Sequence, residues 1–160
     1  MKDNVTQRTF TVRALIVLQF LLGLGAVISG GLFIIAPDGR PMQMPLYMLR
    51  NTPFATFLLP AMLLFTFVGI YPLIVAYSLF ARPSWIRLDL LNPFKIMYRG
   101  WTASLVAGVI LIIWICVQVI MFGSVSFLHV LYFVWGVAIL LLTLNQRVRE
   151  TYSSKHPKLA

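Results

Sequence analysis

The chain has 160 residues, 60% of them hydrophobic and 11% charged, which is more apolar surface than one small water-soluble domain buries. Thirteen Lys and Arg against four Asp and Glu give a net charge of +9, but the cations sit in short segments between long apolar runs, where they meet anionic headgroups. The composition therefore argues against a soluble enzyme and against a nucleic-acid partner, and makes membrane lipid the solvent.

A basic N-terminus with Lys2, Arg8 and Arg13 leads into the first apolar run, 14–36. The run is too long for a signal core, and Pro37-Asp38-Gly39 follows it in place of a small-residue cleavage site, so it is expected to persist as a first transmembrane helix. Gln19, Gly23, Ala26 and Gly30 recur on one face at spacings of four, three and four, with Gly25 and Ser29 as a second small pair. Small residues at this spacing are what helices use to pack closely in lipid. The loop 37–52 then opens with an Asp-Gly turn signal and carries Arg40, Arg50 and the three methionines Met42, Met44 and Met48. Three thioethers suit a soft ion such as Cu(I). With no Cys or His beside them in the sequence, flexible side chains filling an irregular interface is the preferred reading, and no metal site is assigned.

The second run, 53–80, contains Pro60, Gly69 and Pro72 and is expected to tilt or kink as a single crossing. The connection 81–100 mixes Arg82, Arg87, Lys95 and Arg99 with Trp85, Ile86, Leu88, Phe94 and Tyr98, the mixture of an interfacial amphipathic segment. The third run, 101–122, aligns Ser104, Gly108, Leu111, Ile115 and Gln118. After a turn of about two residues at Gly123-Ser124, the fourth, 125–144, aligns His129, Tyr132, Gly136, Leu140 and Thr143. A tail, 145–160, closes the sequence. The chain thus reads as one all-α membrane domain, a bundle of four transmembrane helices.

Eleven of the thirteen cations fall in the N-terminus, the connection 81–100 and the tail. Short cation-rich segments stay in the cytoplasm, so both ends are expected inside, in the bacterial cytoplasmic membrane, with 37–52 outside. Gln118 and His129 each lie five residues from the tight turn, hence at the same depth, about 7 Å below the outer rim. A hydrogen bond between them, direct or through Tyr132 or water, is the simplest expectation for polar groups in hydrocarbon. The pair serves either as glue fixing the hairpin, the preferred reading, or as the lining of an outer pocket with Asp38, Arg40 and Arg50 at its mouth.

Chemistry is sparsely supplied. The runs contain no Asp, Glu, Lys or Arg, which counts against ion-coupled transport. No carboxylate pair, HExxH or nucleophile with a base is present, and Asp38 is read as a turn former. Haem ligation needs a second buried histidine, whereas His156 lies in the tail. No cofactor is expected. Cys116 is the only cysteine, so no intrachain disulfide forms.

Pro37-Asp38-Gly39, Thr52-Pro53-Phe54, Asn92-Pro93-Phe94 and the stretch from Trp101-Thr102-Ala103-Ser104 to Trp114-Ile115 and Gln118 resemble a family of small uncharacterised bacterial four-helix membrane proteins. A looser similarity to DoxX-like proteins rests on size and helix number. Neither resemblance implies an activity. The expected function is a non-enzymatic accessory protein that binds a membrane protein partner, a second copy of itself or lipid through the glycine face of helix one and the basic connection. The alternative is a small-solute permease or oligomeric channel entered past Gln118, His129 and Asp38.

Overall fold

The structure, a computed structural model, describes residues 10–82 and 97–153. It is all-α: α1 (Phe10–Ile35), α2 (Leu58–Ala81), α3 (Arg99–Phe122), α4 (Phe127–Leu144) and a short α5 (Gln146–Tyr152). The first four are each long and apolar enough to cross a membrane. They run up and down in sequence order: α1 packs on α2 and α4, and α3 packs on α2 and α4. One end of the bundle therefore holds the start of α1 and α5, and is called here the tail end. The other holds the α1–α2 loop and the α3–α4 turn, and is called the loop end.

Close crossings are set by glycine. A Cβ on Gly23 would lie 2.8 Å from the carbonyl oxygen of Gly69, and one on Gly30 would lie 3.1 Å from the Phe65 backbone, so α1 and α2 approach backbone to backbone. Gly108 and Gly136 face each other in the same way across α3 and α4, each Cβ position 3.3 Å from the other's carbonyl. Gln19, Ala26 and Ser104 are also buried. Gly25, by contrast, faces open space, so the Gly25 and Ser29 pair is no packing seam.

Expected and observed boundaries differ where local hydrogen bonds compete with the helix. α2 begins at Leu58 rather than at 53 because Thr52 Oγ1 donates to the Leu49 carbonyl and accepts from the Phe54 amide, while the Phe57 amide is taken by the Pro37 carbonyl 2.9 Å away. The middle of α2, Leu64–Ile70, widens to π geometry, with the Tyr71 amide reaching back to the Thr66 carbonyl. Pro72 follows directly. Its ring cannot share the space of the carbonyl four residues back and offers no N–H, and a widened turn relieves both problems.

The stretch 145–153 is not a free tail. The Asn145 side chain caps α5 by accepting from the Arg147 amide, and Val148 and Tyr152 are buried. Tyr152 donates to the Leu79 carbonyl at 2.7 Å, its own carbonyl accepts from the Tyr98 amide at 2.8 Å, and the Arg82 guanidinium lies 4.7 Å from its ring centroid. Arg87, Lys95 and Trp85 of the expected interfacial segment lie outside the described residues.

A candidate ligand pocket at the loop end

A polar cluster lies between the middle of the bundle and the tail end. The Gln19 amide donates to Ser104 Oγ at 3.0 Å, and Ser104 Oγ lies 2.8 Å from Thr143 Oγ1, whose own proton goes to the Ile139 carbonyl at 2.7 Å. Ser104 therefore donates to Thr143. Trp101 Nε1 adds a bond to the Thr143 carbonyl at 2.7 Å. These bonds join α1, α3 and α4 through fully buried side chains, as polar groups in hydrocarbon require.

Above this cluster, toward the loop end, the four helices leave a cavity of about 270 Å³. It reaches down to Leu22, Val68 and Leu111, which are 3%, 3% and 1% exposed and form its floor. Leu111 is three turns from the end of α3, a depth of about 16 Å at the helical rise. The walls are mostly apolar, with Ala26 and Phe33 from α1, Leu64 from α2, and Trp114, Ile115 and Phe122 from α3. Met42, Met44 and Met48 of the loop also line it. The loop is held in place by a small core of its own: Leu49 is buried beside Phe57, and the Phe33 and Phe57 rings lie 5.1 Å apart. Gly39, at φ +79°, makes the turn that starts this loop.

Gln118, His129 and Tyr132 all line this cavity, but the expected hydrogen bond between Gln118 and His129 does not form. The reason lies in the start of α4. Ser126 is its N-cap, and His129, three residues on, folds back so that Nδ1 accepts from the Ser126 amide at 3.0 Å, with Ser126 Oγ 3.2 Å away. This is the reciprocal capping pattern with histidine in the place usually held by Glu or Gln. Phe122 stacks against the ring at 6.5 Å. Since Nδ1 accepts a backbone proton, the neutral ring carries its own proton on Nε2. No side-chain hydrogen bond joins Gln118, Tyr132 or His129 Nε2 to another described residue. Tyr132 keeps an aromatic contact with Trp135, 6.2 Å between centroids.

Asp38 and Arg40 stand apart from the cavity. The Asp38 carboxylate accepts from the Arg40 amide at 3.1 Å and forms an ion pair with the Arg40 guanidinium, which is 88% exposed. The Arg40 amide, and then its guanidinium, hold the Asp38 carboxyl below the usual carboxylate range. No charged side chain lines the cavity among the described residues. Beside it, between α3 and α4, lies an apolar groove of about 420 Å³ lined by Cys116, Val119, Ile120, Val130 and Phe133, and sharing Ile115 and His129 with the cavity.

The cavity walls were partly hidden in the sequence. Trp114 precedes Gln118 by one helical turn and so shares its face, a usable signal. The arrival of the methionine loop over the same opening depends on the Phe33 and Phe57 contact and has no local signature. No family model, curated protein or solved structure matches the chain.

Proposed function

We propose that this integral membrane protein is non-enzymatic and binds a lipophilic small molecule in the loop-end cavity. The observation that carries the reading is the cavity itself: an apolar hollow, close in size to the smaller ligand sites, into which Gln118, Tyr132 and His129 Nε2 bring polar groups with no partner among the described residues. Orientation follows from the distribution of cations, which puts the tail end in the cytoplasm and the cavity mouth in the outer leaflet. Two features favour a blind pocket over a channel. The cavity stops at Leu22, Val68 and Leu111, and toward the tail end follow the Gln19, Ser104 and Thr143 cluster and α5. The glycine face of α1 is occupied by α2, which takes away the surface that a membrane partner or second copy would use there.

Ser29 lines the cavity and bonds only within α1, to the Gly25 and Ala26 carbonyls. Ser29→Phe is therefore expected to fill the hollow without removing a contact between helices. Native mass spectrometry of protein extracted in mild detergent should show a co-purifying lipophilic adduct on the wild type and its loss from Ser29→Phe. Equal adducts on both proteins would refute binding in this cavity.

A further inference from the structure

Resting on that pocket reading, we infer that the ligand is a neutral lipid whose head presents carbonyl oxygens, bound by donation from His129, Tyr132 and Gln118. The hydrogen-bond inventory of the cavity leads to this class. His129 is restricted to donation, because the Ser126 amide occupies Nδ1 and leaves Nε2–H as the ring's free polar group. Tyr132 supplies a phenolic proton and Gln118 two amide protons, none of them used by another described residue. Ser29, Ser124 and Ser126 also line the cavity: Ser29 bonds to the Gly25 carbonyl, Ser126 lies against His129 Nδ1, and the exposed Ser124 adds one hydroxyl. Donors are thus in excess, and a head rich in acceptors satisfies them.

Charge narrows the class further. A phosphate or carboxylate head would be desolvated in the cavity with no cation beside it, since Arg40 is spent on Asp38 outside and no charged described residue lines the wall. An ammonium head would meet no carboxylate among the described lining residues. A neutral carbonyl avoids both costs, and Trp114, Phe122 and the three methionines offer soft apolar faces for whatever carries it. The apolar groove between α3 and α4, which shares His129 and Ile115 with the cavity, is the place for an attached hydrocarbon tail. Two lipid types fit this chemistry: quinones, with carbonyls on a ring, and diacylglycerols, with ester carbonyls.

The test uses the full chain in nanodiscs and four probes scored by native mass spectrometry: a short-tailed 1,4-benzoquinone, dioctanoylglycerol, an oxygen-free dialkylbenzene of similar size, and a short-chain phosphatidylglycerol. At least one carbonyl probe should bind ten-fold or more tightly than both the hydrocarbon and the charged phospholipid. Which one does so identifies the source. Tyr132→Phe, which retains the ring, and Gln118→Leu should each weaken that probe about five- to ten-fold, the loss of one neutral hydrogen bond, and leave the hydrocarbon unaffected. If the hydrocarbon or the phospholipid binds as well as the carbonyl probes, or if both variants bind like wild type, the carbonyl assignment is wrong while the pocket stands. If no probe distinguishes wild type from Ser29→Phe, the pocket reading fails with it.

Discussion

Gln19 is fully buried, and only half of its amide is used among the described residues: Nε2 donates to Ser104, while Oε1 has no partner there. The two ends of this bond should respond differently to mutation. Ser104→Ala strands the whole Gln19 amide and is expected to cost about 1–2 kcal/mol, the scale of a lost interhelical bond that leaves a buried group unpaired. Gln19→Met removes the orphan oxygen and leaves Ser104 donating to Thr143, so stability should stay within about 0.5 kcal/mol of wild type or rise. Thermal unfolding in detergent checks both, and a larger loss for Gln19→Met than for Ser104→Ala would contradict the assignment. Asp38 offers a test outside the membrane. Its carboxyl is held below the ordinary value of 3.8 by the Arg40 amide and guanidinium. A depressed folded value means that the stabilisation is fully present above 3.8 and is lost as pH falls through the folded value. The Arg40 amide resonance should therefore titrate with a midpoint below 3.8, and Asp38→Asn should abolish that titration. A midpoint at or above the ordinary value would show that the pair does not persist in solution.

The four crossings were legible at the scale of elements, because a run of about 20 apolar residues has few other fates, and the spacing of Gly23, Ala26 and Gly30 marked the buried side of α1. Three features were not read, for different physical reasons. The π turn of α2 depends on how the backbone yields ahead of Pro72, which hydropathy does not record. The cap of α4 is present in the sequence as Ser126 with a polar residue three positions on; equal depth points to Gln118 as the partner of His129, but a contact inside one turn costs less to order than one between helices. α5 had its own signal, Asn145 followed by Val148 and Tyr152 one turn apart on a single face. Glycine position gives a sharp test at this scale. Gly30→Ala pushes a methyl group to 3.0 Å from Phe65 Cβ and 3.1 Å from its backbone, so α1 and α2 must separate, whereas nothing lies within 4 Å of a Cβ on Gly25. The first substitution should cost about 1–3 kcal/mol. Gly25→Ala should leave stability unchanged or raise it by up to about 1 kcal/mol through helix propensity. Equal losses in the two variants would mean that the α1–α2 crossing is not as close as described.

The whole molecule is asymmetric along the membrane normal. At the tail end, α5 lies on the bundle with Tyr152 bonded to Leu79 and Tyr98, and the Gln19, Ser104 and Thr143 cluster holds three helices together. At the loop end the bundle opens into a hollow beside the crossing of Gly30 and Phe65, and among the described residues the loop with its three methionines covers it. The hydrogen bonds that join three helices thus lie where the bundle is closed, while the polar groups of Gln118, Tyr132 and His129 Nε2 line the hollow where it is open. This division predicts where water-borne reagents reach. Cys116 is exposed and must first be replaced by Ala. In that background, with protein in sealed vesicles, Gln118→Cys should react with a membrane-impermeant maleimide added on the loop-end face, because Gln118 lines the cavity. Ser104→Cys, below the cavity floor, should react from neither face, and lipophilic ligand should protect Gln118→Cys. Labelling of Ser104→Cys from both sides would establish a continuous aqueous path and restore the channel in place of the pocket. Labelling of Gln118→Cys from the tail-end face alone would contradict the placement of the cavity mouth at the loop end.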